Sequence, residues 1–415
     1  MRILVVTQYF WPENFRINDL CAELAQRGHE VTVLTGKPNY PDGDVFKEFK
    51  QDPSGFEQYN DCQVVRVPMI ARGRTSLQLI LNYLSFALSA SLLGLFKLRK
   101  KQFDIIFVCQ LSPVTSALPA ILYKKIHNIP VTMWVLDLWP ESLEAVGAIK
   151  SPRLLNLVGK LVSFVYNHCD LILGQSKSFI GGIGVYCKNK NKNKIKYFPS
   201  WPETIFSNNQ NDVKNGEILK FSNSFNILFA GNIGEAQDFP TILKAVEILK
   251  FKDIKVKLFV VGDGRHFSWL KEQVEERKLN EYIYLLGRYP LEMMPRFYAS
   301  ADALLVTLRE SKIFSMTIPG KVQSYMAAEK AILAMLDGEG ARVIKEADCG
   351  YVSRSGDYKQ LADSIIRMAK LDKSSLDKLG SNAKKYVLEE FDRNKLITQL
   401  EYWFTSIVVK DEKTL

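Results

Sequence analysis

The stretch Ser224–Met335 constrains this chain more than any other. It opens SFNILFAGNIGEAQDFPTIL, passes through VKLFVVGDG, and closes DALLVTLRESKIFSMTIPGKVQSYMAAEKAILAM. Three apolar runs rich in Ile, Val, Leu and Phe each end in a loop and then a helix. Phe225–Ala230 predicts a buried strand, Gly231–Gly234 its turn, and Phe239–Leu249 a helix by apolar spacing. Val256–Val261 predicts the next strand, with Gly262-Asp263-Gly264 as its turn. Ala303–Val306 predicts a third, followed by a loop and Pro319-Gly320-Lys321 at a helix start. Strand, glycine turn and helix in repetition give a parallel sheet covered on both faces. Such sheets bind ligands beyond the carboxyl ends of their strands, so these loops are where chemistry is expected.

The preceding half repeats the form. Strands are predicted at Arg2–Thr7, Val31–Leu34, Val64–Val67, Ile105–Val108, Val131–Val135, Leu171–Leu173 and Lys194–Phe198. Helices are predicted at Phe15–Gln26, Leu77–Phe96, Val114–Ile126 and Leu154–Asn167. Gly36–Gly55 is a loop long enough to suggest binding. After Met335 come helices at Ala341–Ala347, Leu361–Ala369, Ser374–Leu388 and Lys395–Val408, and a short strand at Tyr351-Val352. At 415 residues the chain is too long for one core. The expected class is α/β, with two doubly wound domains: residues 1–205, residues 206–388, and a terminal helix in 389–415 that could pack back on the first domain. The polar, Asn-rich segment near Pro199–Phe221 is the expected linker.

Formal net charge is +10. That suits phosphorylated ligands, nucleic acid or an anionic membrane surface. No basic strip is interleaved with aromatics, so nucleic acid is not expected. Lys188–Lys196 alternates Lys with Asn and reads as a solvated loop or an anionic-surface contact. None of the six cysteines forms a CxxC pair, and the four histidines are scattered. A disulfide frame or metal cluster is therefore not expected, and the cysteines read as core residues of a reducing compartment. Arg2–Val6 reads as a strand, so no cleavable leader is expected ahead of the fold. Leu77–Phe96 is near membrane-spanning length but carries Gln78, Asn82, Ser85, Ser89 and Ser91. Arg72 and Arg74 precede it, and Lys97, Arg99, Lys100 and Lys101 follow. It reads as a wide-faced core helix, a helix lying in a membrane surface, or a span.

Several groups could carry chemistry. Gly231, Asn232 and Gly234 follow a strand and precede a helix, where backbone amides can approach a phosphate. Pro319, Gly320 and Lys321 place a mobile cation beside the free amides of a helix start. Arg288, after a strand at Tyr282–Leu286, is a second candidate cation. Trp-Pro-Glu occurs three times, at Trp11, Trp139 and Trp201. Two of these stand in loops at strand ends of the first domain. Pro12, Glu13, Asn14 and Arg16 gather in one; Asp137, Trp139 and Glu141 share the other. Together they read as a polar site, although each carboxylate could instead be a helix cap or surface pair.

The segments TQYFWPENFRINDLCAELAQRGHEVTVLTGKPNYP, WVLDLWPESL, FAGNIGEAQDFPTIL, LGRYP and TIPGKVQSYMAAEKAIL together resemble a known family. They are similar to the retaining, family 4-like nucleotide-sugar glycosyltransferases, built from two facing Rossmann-like domains (the GT-B fold). Within these they resemble the bacterial N-acetyl-L-fucosamine transferases of O-antigen and capsule polysaccharide synthesis. The resemblance implies a UDP-sugar donor in the second domain and an acceptor against the first, with Pro12, Glu13, Asn14 and Arg16 near the transferred sugar. It implies that the Asp137 loop lies near the reacting carbon. Two features depart from the family. Its paired glutamates, eight positions apart, correspond here to Met316 and Ser324. Its Arg and Lys in the first glycine loop are replaced by Asn232 and by Gln237 or Asp238. Phosphate charge then falls to Lys321 with Arg288, and Glu339 is the candidate for the ribose.

The expected reaction is sugar transfer with retained configuration. Asp137 would orient or deprotonate the acceptor, or stabilise charge at the sugar; Glu13 and Asn14 would fix the donor sugar. No cofactor beyond the UDP-sugar is expected, and no acidic cluster calls for a metal. A lipid-linked (polyprenyl diphosphate) saccharide is the expected acceptor, with the protein cytoplasmic and peripheral to the inner membrane face. The alternatives are a nucleotide-sugar epimerase on the same fold, for which a convincing acid/base set is lacking, and a nucleic-acid binder.

Overall fold

The computed structural model describes residues 1–412 apart from 42, 74, 146, 148, 150, 189–192 and 209–223. Arg74, much of the lysine–asparagine run and most of the expected linker lie outside the described residues. The chain divides into two compact units, Met1–Pro199 with Asn394–Leu415, and Ser200–Arg393. The division falls a few residues before the expected boundary at 205, and Ser200–Phe206 belongs to the second unit.

The first unit holds β1 (Arg2–Val6), β2 (Glu30–Thr35), β3 (Gln58–Tyr59), β4 (Cys62–Arg66), β5 (Ile105–Gln110), β6 (Val131–Val135), β7 (Leu171–Gly174) and β8 (Ile195–Tyr197). They form one sheet in the order β3-β4-β2-β1-β5-β6-β7-β8. All neighbours pair in parallel except β3 with β4. Strands β1, β5 and β6 are apolar along almost their whole length and buried, as strands covered on both faces must be. Strand order reverses between β1 and β5, so their loops open a crevice at the carboxyl edge. Helix α1 (Arg16–Gln26) follows β1 and buries Ile17, Leu20, Cys21 and Leu24.

Helix α2 (Ser76–Ser89) begins on a capping box, with Thr75 accepting from the Gln78 amide at 3.3 Å. It continues through one wide turn, Ala90–Gly94, into Leu95–Leu98. Its inner side buries Asn82, Tyr83, Phe86, Ala87 and Ala90. A Cβ on Gly94 would stand 3.0 Å from the Leu34 side chain, so glycine lets the helix lie close over β2. Its outer side leaves Leu77, Ile80, Leu81, Leu84, Leu88, Leu92 and Phe96 exposed, with 63% of Leu88 and 67% of Leu92 open. A core helix would have buried this stripe.

The second unit holds β9 (Phe225–Ala230), β10 (Val256–Val261), β11 (Ile283–Gly287), β12 (Ala303–Thr307), β13 (Ala331–Met335) and β14 (Gly350–Ser353), all parallel, in the order β11-β10-β9-β12-β13-β14. Alternate residues enter opposite cores. Leu228, Phe259, Leu304 and Ile332 join one, and Ile227, Phe229, Leu258, Val260, Leu305 and Leu333 the other. Helix α3 (Phe239–Phe251) fills the second core with Ile242, Leu243, Val246 and Leu249. Helix α4 (Gly320–Ala327) fills the first with Val322, Tyr325 and Met326. The Tyr325 hydroxyl meets the backbone of Ala230, accepting from its N–H at 3.0 Å, and so ties α4 to the end of β9.

The two units are joined at Pro199/Ser200 and again at Arg393/Asn394. The last helix, α6 once α5 (Gly338–Glu346) is counted, spans Arg393–Glu412 and packs on the first unit. Phe404 meets Phe107 with ring centroids 5.7 Å apart, and Glu401 accepts from Arg27 at 2.8 Å and meets His29 at 2.7 Å. Strand β3 and the helices at Lys177–Tyr186 and Phe267–Glu276 are additions to the sequence expectation. All six cysteines are buried and unpaired.

Because Tyr325 is fully buried, Tyr325→Phe leaves the Ala230 N–H without its partner. The second unit should lose about 1–3 kcal/mol of stability, read by urea unfolding of the full chain.

Candidate functional site

At the reversal of strand order between β9 and β12, the second unit contains a cavity of about 740 Å³. Glu203, Gly231, Asn232, Asp263, Arg288, Tyr289, Tyr298, Gly320, Lys321 and Ser324 all line it. Its floor is made where two glycine turns touch. A Cβ on Gly262 would lie 1.9 Å from the Gly231 carbonyl oxygen, and Gly262 has φ +139°. Only glycine fits both the conformation and the distance.

Gly231 makes room for Lys321. A Cβ there would stand 2.4 Å from the lysine Cε. The lysine Nζ lies 3.7 Å from the centroid of the Phe229 ring, whose face attracts a cation. Among the described residues, no carboxylate or carbonyl bonds to it. Lys321 keeps some surface open to the cavity, yet protein surrounds it closely enough that burial lowers its pKa from 10.5 to about 7. An amine in this state gains by meeting an anion.

The rest of the expected donor group divides. Gly320 is the first residue of α4 and lines the cavity; a Cβ there would meet nothing, so its glycine is not sterically required. Pro319 stands at the N-cap, one place before the helix, and does not line the cavity. Arg288 lines it, is exposed, and has no recorded hydrogen bond or ion pair among the described residues. Gly234 lies outside the lining.

The glycine-loop amides differ from expectation. Gly231 N–H donates to the Val261 carbonyl at 2.8 Å, Ile233 N–H to Asp263 at 2.9 Å, and Gly234 N–H to the Gln237 side chain at 3.1 Å. Bonds that shape the turn therefore occupy amides expected to meet a phosphate. Gln237 also accepts from Asn232 at 3.3 Å, so it braces the loop in place of a basic residue. The cations left facing the cavity are Lys321 and Arg288, while of the first-turn amides of α4 that of Val322 already donates to the Pro319 carbonyl at 2.9 Å.

Glu339 is corrected outright. It is buried at the start of α5, accepts from Arg342 at 2.8 Å and does not line the cavity. Ser324 does line it, and its hydroxyl donates to Glu203 at 2.6 Å. Glu203, Tyr289 and Tyr298 went unmarked in the sequence, although Glu203 ends the third Trp-Pro-Glu.

In the first unit, Glu13 is spent on the backbone. One carboxylate oxygen accepts from the amides of Asn39 and Tyr40, both at 2.8 Å, and the other from Phe10 at 3.0 Å. It pins the loop after β2 to the loop after β1, a structural task in place of the expected grip on a sugar. Burial raises its pKa, and the three amides oppose the rise. Pro12 is half-buried, Asn14 exposed, and Arg16 half-buried at the first position of α1. Glu141 accepts from the Tyr186 hydroxyl at 3.1 Å.

Asp137 keeps a more open role. Burial raises its pKa above the ordinary 3.8, while Ser142, Ser112 and Trp139 beside it favour the charged form. Trp139 Nε1 donates to it at 3.1 Å, and the Trp139 ring lies 5.9 Å from Tyr83 on the inner side of α2. Arg72 lies over Tyr40 at 5.3 Å and is held by the Tyr9 hydroxyl. Aromatic walls, Arg72 and Asp137 thus gather at the carboxyl edge of this sheet.

A family model described as "Glycosyl transferases group 1" matches residues 211–386, and one described as "Glycosyl transferase 4-like domain" matches residues 14–180. The chain belongs to the group 1, 4-like glycosyltransferases. It is 28% identical over 274 residues to the probable glycosyltransferase WbjE of Pseudomonas aeruginosa, covering 62% of this chain and 66% of that one. It is 24% identical over 344 residues to the putative colanic acid biosynthesis glycosyl transferase WcaI of Escherichia coli K12, covering 79% and 81%. Among solved structures, Anabaena HepE in complex with UDP superposes with a TM-score of 0.70 at 15% identity, covering 98% of this chain and all of that one. WaaG, a glycosyltransferase involved in lipopolysaccharide biosynthesis, gives 0.62 at 15% identity, covering 96% and 98%. The fold is thus two Rossmann-like α/β units of the GT-B class. These matches favour transfer over the epimerase alternative.

Burial makes protonated Lys321 a destabilising group in the empty protein. Its folded pKa lies below its unfolded one, so the burial penalty is full below pH 7 and fades as pH rises toward 10.5. Lys321→Met should stabilise the empty protein at pH 6 by about 1–2 kcal/mol, less than the whole shift because solvent reaches the cavity. The gain should shrink by pH 9 in paired urea titrations.

Proposed function

We propose that this glycosyltransferase moves a sugar, N-acetyl-L-fucosamine as first choice, from a UDP-sugar to a lipid-linked saccharide, with retention of configuration, in cell-surface polysaccharide assembly. One observation carries the donor half: an enclosed amine with no hydrogen-bond acceptor among the described residues, at the strand-order reversal of the second unit. A diphosphate supplies the anion this amine lacks. HepE, similar in fold, is a UDP complex, and WcaI is named for polysaccharide synthesis. The sugar itself rests on the sequence resemblance.

In the reaction the bond from the anomeric carbon to the diphosphate breaks, and its electron pair leaves with the phosphate. Lys321 and Arg288 stabilise that growing charge. The acceptor oxygen bonds to the same carbon on the same face. Its proton passes to Asp137 or to the departing diphosphate.

The acceptor half rests on α2. Its exposed leucines and the Lys97, Arg99, Lys100 and Lys101 that follow suit the anionic inner face of a membrane, with the protein attached from the cytoplasm. Tyr83 and Asn82, on the buried side of the same helix, adjoin the Asp137 cluster. A lipid-anchored saccharide would arrive beside that carboxylate.

UDP should raise the melting temperature, and Lys321→Met should weaken UDP binding about 10- to 100-fold in calorimetry. At pH 8 binding should take up protons, seen as a dependence of the heat on buffer ionisation. Asp137→Asn should lower turnover about 100-fold or more, and the acid limb of the wild-type pH profile should lie above 3.8. Full turnover in that variant would remove Asp137 from the mechanism. Leu84→Glu with Leu88→Glu should release the protein from anionic vesicles without changing UDP affinity.

A further inference from the structure

The third Trp-Pro-Glu segment enters the cavity from outside the strand-end loops. Trp201 is fully buried, and Phe206 stacks on Tyr298 with centroids 5.0 Å apart, so the chain is anchored on both sides of Glu203. Helix α4 holds the same segment twice. Gln323 donates to the Ser200 carbonyl at 2.6 Å, and Ser324 donates to Glu203 Oε2 at 2.6 Å. The helix that carries the cavity's enclosed cation therefore also positions a carboxylate three residues further on. Residues so spaced lie on one face, about one turn apart.

A carboxylate beside a diphosphate would repel it, so Glu203 must serve the uncharged part of the ligand. It accepts only, and suits hydroxyl donors. Beyond the Ser324 bond at Oε2, a carboxylate has lone pairs for further hydroxyl donors. The cavity's other lining carboxylate, Asp263, has Oδ1 engaged by the Gly264 amide at 2.7 Å. Glu339, the carboxylate expected from the sequence, is turned to Arg342.

We propose that Glu203, positioned by Ser324, holds the vicinal ribose hydroxyls of a ribonucleoside diphosphate, a role that rests on the cavity being the donor site. The consequence is selectivity: a pocket built to pair a hydroxyl discriminates strongly against an analogue without it.

The test is calorimetric titration of the full chain with UDP and with 2′,3′-dideoxy-UDP. Wild type should prefer UDP by about 10-fold or more. Glu203→Gln, which can still accept from Ser324, should lose about 10-fold in UDP affinity while its affinity for the dideoxy nucleotide stays within about twofold. Glu203→Ala should lose more toward UDP alone, with thermal melting of the empty protein confirming its fold. Equal weakening toward both nucleotides, or none toward either, overturns the assignment while leaving the donor site standing. Failure of the wild-type chain to bind UDP brings down both.

Discussion

The contact between two glycine turns underlies the second unit's site. Gly262 lies so near the Gly231 carbonyl that any side chain there would overlap it. Gly231 in turn opens the channel through which the Lys321 side chain reaches the Phe229 ring. Tyr325, one helical turn beyond Lys321, bonds the end of β9 directly before Gly231. Sheet edge, glycine floor and cation are thus one mechanical assembly. The amine pays in desolvation for its place there, and an arriving anion offsets that cost.

The first unit solves a different problem. The loops after β1 and β2 are joined by a buried carboxylate that satisfies three backbone amides. That leaves Asp137, Trp139, Tyr83 and Arg72 on a fixed frame. Helix α2 adds a second constraint, since one side completes this frame and the other presents leucines outward. A single element therefore links the polar cluster to an apolar surface.

How much of this was legible in the sequence depended on distance along the chain. Strands β9, β10, β12 and β13 announced themselves, because both faces are largely buried and each run is mostly apolar. Lys177–Tyr186 did not, for its three glycines blur a helical period. Phe267–Glu276 did not, because it buries only Leu270 and Val274. The cavity position of Lys321 followed from a helix start after a strand. Glu13 looked like a sugar ligand because no local pattern shows that amides 26 and 27 residues away will claim it. Glu203 was harder still: its partner Ser324 lies 121 residues further on. The repeated Trp-Pro-Glu was its trace, and only packing around Trp201 turned that trace into a site.

The return of the final helix to the first unit has a bearing on biogenesis. The whole of the second unit is threaded between two portions of the first. On the ribosome, residues up to 199 emerge early, yet the partners of Phe107, Arg27 and His29 on the last helix appear only after some two hundred more residues have been made. The nascent first unit must wait with that surface uncovered while a complete neighbour folds. Covering of that sheet is thereby deferred until the whole second unit has been made.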